Sequence, residues 1–167
     1  MAALKVVLFD LDDTLFAHTA SVEAGLAAHR GALGGAIAAA PRGEEFARWS
    51  ALEEHHYHRY LSGELAFVEQ RRARARGFVE PFGVDLAQDA AADAWFDAYL
   101  AEYERTWALH NDALACLDAL APARFGIITN GELAFQTAKI EAIALAPRIV
   151  FRRHLHATFL RSYFFLQ

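Results

Sequence analysis

Three acids stand at positions 10, 12 and 13 in the stretch VVLFDLDDTLF (6–16), directly after an apolar run. Asp10 and Asp12 are two apart. In a continuing strand they would share a face, and if the chain turns after Asp10 both can still converge on one pocket. Converging carboxylates repel, so one binds a proton or the pair takes a cation. Mg²⁺, with its preference for hard oxygen ligands, suits such a pair. A phosphate ester brought there would have part of its charge offset. One carboxylate is then placed to attack phosphorus. The other, held as an acid, can protonate the leaving oxygen and afterwards activate water. A second polar cluster, Thr129-Asn130-Gly131, ends the apolar run FGII (125–128). The Thr129 hydroxyl and the Asn130 and Gly131 amides are suited to hold phosphate oxygens. The bland alternative is that the acids only open a turn or cap the next helix. It has to explain D-x-D-x-T after one strand and T-N-G after another, which chance places together rarely.

The elements that must position these groups follow from periodicity. LKVVLF (4–9) reads as a fully buried strand of a parallel sheet. A helix is expected from Ser21 to about Arg30, then a Gly/Ala/Pro loop over 31–43 with room for a short helix. Helices follow at 44–61, at 67–78, and from Asp85 to about Trp107, with Asn111 capping one more through Leu120. FGIITNG (125–131) is the second strand, and 134–144 is helical. The order is strand, about 110 mostly helical residues, strand, helix. Open α/β sheets bind ligands at the carboxyl ends of their strands, where both polar clusters lie.

Bulk properties narrow the class. The 167 residues are 55% hydrophobic and 22% charged, with a net charge of −5, an ordinary globular composition that argues mildly against a nucleic-acid partner. Cys116 is the sole cysteine, so an internal disulfide is impossible and a reducing compartment fits. The N-terminal apolar run is too short for a signal peptide, and no stretch is long enough to span a bilayer. The expectation is a cytoplasmic protein with no membrane partner.

LFDLDDTL (8–15) and IITNG (127–131) resemble the first and second motifs of the haloacid dehalogenase (HAD) superfamily of hydrolases. ELAFQTAKIEAIALAP (132–147) resembles the helix that follows the second motif, and the helical insert resembles a cap placed between the two. The resemblance runs from residue 4 to about 147. It implies an α/β fold: an incomplete Rossmann-like parallel-sheet core (1–16 and 121–150) carrying an inserted α-helical cap (17–120). It implies Asp10 as nucleophile and Asp12 as general acid/base. Mg²⁺ would be held by the Asp10 carboxylate and the Asp12 main-chain carbonyl, with phosphate on Thr129, Asn130 and Gly131. An acid at position 12 resembles the phosphatase branch, since the dehalogenases of the family lack one there. The implied activity is Mg²⁺-dependent hydrolysis of a small phosphorylated metabolite, of nucleotide or sugar-phosphate type, through an aspartyl-phosphate. Asp13 stands where the family pattern varies and reads as structural.

The family pattern continues with a third motif, a Lys, and a fourth, acidic motif. Neither is present here. Glu141 is the last acid, and the 26 residues after it carry four Arg and two His. Residues 148–167 therefore read as an atypical basic, aromatic tail, foreign to the family as a frameshift or truncation would make it. In the family sheet the first-motif strand is central. Without the fourth-motif strand, 5–9 becomes an open edge, prone to self-association. The alternative function is a catalytically silent remnant acting at most as a binding or interaction module. Lys139, the one Lys besides Lys5, is a candidate substitute for the missing third-motif Lys. His55, His56 and His58 are spaced for a metal on a helix but read as a polar cap face. Arg72 and Arg76 read as a solvated or ion-paired face. The aromatics at 95–107 read as cap core.

Overall fold

A computed structural model describes residues 5–129 and 132–154, with side chains up to residue 150. The chain divides into two units, residues 21–106 and the remainder. The helical unit, 21–106, lies within the span 17–120 read as a cap.

In the first unit, β1 (Val6–Phe9), β2 (Arg124–Thr129) and β3 (Ile149–His154) form a parallel sheet in the order β1-β2-β3. Phe9 pairs with Ile127 and Thr129 with His154. β1 and β2 run the same way, so Asp10 and Thr129 both lie at the carboxyl edge. This α/β arrangement matches the expected class. Two expectations need correction. First, β3 starts inside the segment read as a tail; residues 155–167 lie outside the described residues. Its apolar start, Ile149-Val150-Phe151, is too short to stand out beside Arg152 and Arg153. Second, β1 is not fully buried. Val6 and Leu8 are 44% and 49% exposed. Val6 and Leu8 pair with Arg124 and Gly126, on the sheet face opposite the one where Phe125 and Ile127 are buried. The unit's core comprises Leu11, Leu15, Phe16, Leu117, Ile127, Ile140 and Leu145. Helices α6 (Ala113–Ala119) and α7 (Leu133–Ala142) contribute to it. Asn111 does not cap α6; the helix begins after Asp112, with no side-chain cap bond.

Helix α1 (His18–Leu33) begins in the first unit and enters the second. The second unit continues with α2 (Gly35–Ala39), α3 (Arg42–Leu61), α4 (Phe67–Val79) and α5 (Asp89–Arg105). The α5 helix starts four residues later than expected, because the Asp85 carboxylate accepts from the Ala87 N–H and stays in the preceding turn. The unit's centre is aromatic: Trp49, Phe78, Trp95, Phe96, Tyr99 and Tyr103 are buried. Of the aromatics at 95–107 expected there, Trp107 lies instead in the first unit, against Phe16 and Phe135. Trp49 meets Tyr99 and Phe78 edge-on, with centroids at 4.6 and 5.3 Å. Each such pair adds about 0.5–1.5 kcal/mol beyond its buried area. Arg72 pairs with Asp89 and Asp93, and Arg76 with Asp89. These arginines join α4 to the start of α5 as an ion-paired face. Among the described residues no helix is long and apolar enough to cross a membrane.

Candidate active site

The acidic stretch turns sharply after β1. The Leu11 carbonyl accepts from the N–H groups of Thr14, Leu15 and Phe16, and the Asp13 N–H donates to the Phe16 carbonyl. Asp13 sits in the left-handed region at φ 53°, which Asp tolerates better than most residues. Its carboxylate accepts from the Thr19 N–H at 2.8 Å and the Thr19 hydroxyl at 2.6 Å. It thereby satisfies an otherwise orphaned donor in the first turn of α1. A cap of this kind is worth about 1 kcal/mol. These bonds, with the charges of His18 and His110, hold the Asp13 carboxyl below the usual range despite partial desolvation, which acts the other way. Asp13 is therefore structural, as read from sequence.

Asp10 directly follows β1, with its side chain exposed. Its carboxyl is pushed above the ordinary range, chiefly by partial loss of water around it. A hydrogen bond from the Leu11 N–H opposes this, while the charges of Asp12 and Asp13 add to it. Because the side chain is open to solvent, screening limits the effect. Asp12 points elsewhere. One carboxylate oxygen accepts from Lys139 Nζ at 2.8 Å and the other from Gln136 Nε2 at 2.9 Å. Both donors lie on α7, three residues apart and so on one helix face. The helix is anchored by Glu132, whose carboxylate accepts from the Ala134 and Phe135 N–H groups at 3.1 and 2.9 Å. Lys139 is 2% exposed, with Nζ 4.7 Å from the Phe16 ring centroid and 5.3 Å from that of Phe135. His18 Nδ1 is 3.9 Å from Asp12.

Of the residues expected from sequence, Asp10 and Thr129 fall at the same sheet edge and Thr129 is buried. Asn130 and Gly131 lie outside the described residues. Gln136 escaped the sequence reading. Its signal was the Q-x-x-K spacing on the helix after the second strand, and only the fold says which acid that face meets. The metal donors expected were Asp10 and Asp12. Hard oxygens and crowded acids fit a Mg²⁺ ion that keeps most of its waters. The Asp12 carboxylate is already engaged by α7, so its contribution would be the main-chain carbonyl. Among the described residues no group of three or more His, Cys, Asp or Glu forms a metal cage. That includes His55, His56 and His58.

Comparison with known proteins places these observations. The model of the haloacid dehalogenase-like hydrolase family matches residues 4–157, ten residues beyond where the resemblance was expected to stop. Among solved structures, the chain is similar to a putative HAD-hydrolase, YfnB from Bacillus subtilis, described as bound to magnesium. The identity is 18% over 90% of this chain and 63% of that one, with a TM-score of 0.69. It is also similar to the L-2-haloacid dehalogenase from Xanthobacter autotrophicus, at 25% identity over 90% of this chain and 56% of that one, TM-score 0.59. A 2-haloacid dehalogenase from Pseudomonas syringae pv. tomato is 24% identical over 94% of this chain and 65% of that one, TM-score 0.51. The chain therefore spans less than two thirds of each of these relatives. No curated protein matches it.

Proposed function

Because the chain belongs to the haloacid dehalogenase-like hydrolase family, we propose that it hydrolyses small phosphate monoesters through an aspartyl-phosphate on Asp10. The observation that carries this reading is the division of labour between two neighbouring acids. Asp10 is exposed at the carboxyl edge of β1, while Asp12 is oriented by two donors from α7. An exposed carboxylate suits attack, and an oriented one suits proton transfer.

In the first half-reaction an Asp10 oxygen forms a bond to phosphorus as the bond to the leaving oxygen breaks. Asp12 gives that oxygen its proton, and the alcohol departs. In the second, water attacks phosphorus, Asp12 takes the water's proton, and phosphate leaves as Asp10 is regenerated. In this reading Thr129, the last residue of β2, would hold a phosphate oxygen. Bound Mg²⁺, on the Asp10 carboxylate and the Asp12 carbonyl, would supply charge neutralisation of the phosphoryl group. The substrate class is a small phosphorylated metabolite.

A second reading has its own support. Likeness to an L-2-haloacid dehalogenase at 25% identity favours attack of Asp10 on carbon with loss of halide. Against it stands the acid at position 12, which phosphorus chemistry uses and halide departure does not need. The experiment compares p-nitrophenyl phosphate with and without Mg²⁺, and L-2-chloropropionate, in the full chain and in Asp10→Asn. Mg²⁺-dependent release of phosphate, lost in the variant, is the expected result. Chloride release alone would transfer the assignment to the second reading. A folded sample that turns over neither would leave a silent binding module.

A further inference from the structure

The unusual feature of the first unit is a buried ammonium on a short helix. Lysine is almost never fully buried unless paired, because desolvating its charge is expensive. At position 139 an apolar side chain such as Met would fill the same space between Phe16 and Phe135 without that cost. The Lys139 amine instead reaches past the rings to Asp12 at 2.8 Å. Gln136 carries a second cost. Its amide is 3% exposed and turned so that the NH₂ group meets Asp12, and its Oε1 is buried with no hydrogen-bond partner. Turning the amide over would set that oxygen against a carboxylate. So two buried polar groups, three residues apart, are both aimed at one acid, and each takes a different oxygen.

We propose that Lys139 and Gln136 are positioning residues that clamp the Asp12 carboxylate by one oxygen each and fix its plane for proton transfer. This rests on the reading of Asp12 as the acid/base of phosphate-ester hydrolysis. The clamp leaves Asp12 no free rotation about its carboxylate, so the oxygen that serves the leaving group is set by α7. Proton transfer is demanding of such alignment and contributes about 10²–10⁴-fold to rates. A loosened Asp12 therefore harms the substrates that most need a proton. Lys139 acts through Asp12.

The test uses Lys139→Met, Lys139→Arg and Gln136→Leu in the full chain with Mg²⁺, on aryl phosphates whose phenol leaving groups span a wide range of acidity. Lys139→Met is expected to lower kcat by about 100-fold for the poorest leaving group and by less than about 5-fold for the most activated. KM should hold, and Lys139→Arg should recover part of the loss. An equal loss across the series would overturn the proposal, since a merely structural role has no leaving-group dependence. A second readout needs no turnover: the coupling between Asp12→Asn and Lys139→Met in equilibrium unfolding. Coupling of about 5-fold or more in the unfolding constant is expected, and coupling below about 2-fold would overturn the clamp. If the wild type turns over none of the esters, the proposed function fails, and the clamp stands or falls on this coupling.

Discussion

Ser21 and Thr106 are bonded reciprocally: the Ser21 hydroxyl donates to the Thr106 carbonyl, and the Thr106 hydroxyl donates to the Ser21 carbonyl, each at 2.9 Å. They are the first and last residues of the helical unit. The two bonds close the ends of an 86-residue insertion on each other, with the Thr106 hydroxyl also lying 2.7 Å from the Tyr103 carbonyl. Ser21 is buried, so its removal leaves a carbonyl short of a partner. Ser21→Ala should lower stability by about 1–2 kcal/mol in denaturant unfolding. An unchanged midpoint would show that the pin carries no energy.

A second close approach lies one turn further along α1. A β-carbon on Gly25 would stand 2.5 Å from the Tyr103 α-carbon and 2.7 Å from its nitrogen, both backbone atoms that cannot swing aside. Gly25→Ala should therefore cost about 1–3 kcal/mol by forcing α1 from α5. Gly31, on the same helix, has open space around its own β position. Gly31→Ala should be stabilising by about 0.5–1 kcal/mol through helix propensity. Thermal unfolding of the two variants should move in opposite directions; movement the same way would refute the packing argument.

The helical unit should lose stability in mild acid. His29 is packed against Trp95 at 4.6 Å, and its Nε2 has no hydrogen-bond partner. Burial holds its imidazole below the ordinary value, with the charge of Glu102 opposing. A base depressed in the folded state binds fewer protons folded than unfolded. Stability is then fully present above the unfolded value of about 6.5 and falls as pH drops toward the folded value. His56 is depressed in the same sense, by burial and by the charges of His55, Arg59 and Arg74. Between pH 7.5 and 5.5 the unfolding free energy should decrease, and His29→Phe should reduce the slope without abolishing it. A slope indifferent to His29→Phe would exclude this histidine as a source.

Metal binding should be visible without turnover. If Asp10 supplies the side-chain donor, Mg²⁺ at about 100 times its dissociation constant stabilises the folded chain by about 2.7 kcal/mol. EDTA should reverse the gain and Asp10→Asn should remove it. An equal Mg²⁺ effect in Asp10→Asn would place the ion elsewhere on the protein.

Local pattern made much of this molecule readable. An apolar run ending in acids, and a second ending in Thr129, mark strand ends because period and polarity are set within a few residues. The aromatic face of α5 was readable for the same reason: Trp95, Phe96, Tyr99 and Tyr103 fall at helical spacing and are buried. The start of α5 was not, because Asp85 chose the turn at Ala87 over a helix cap, and both are chemically open to Asp. β3 escaped because Arg152 and Arg153 break its apolar run, and its identity as a strand comes from pairing with β2.

What the sequence determined by itself was therefore the family, the two acids at a strand end and the helical character of the insert, since each depends on neighbours a few positions away. Tertiary structure alone decided which groups those acids meet. Asp12 lies 124 residues from Gln136 and 127 from Lys139, and no local preference encodes that encounter. It arises because parallel pairing of β1 with β2 brings the turn after one strand beside the helix after the other. There the cost of burying an ammonium is offset by the carboxylate it finds.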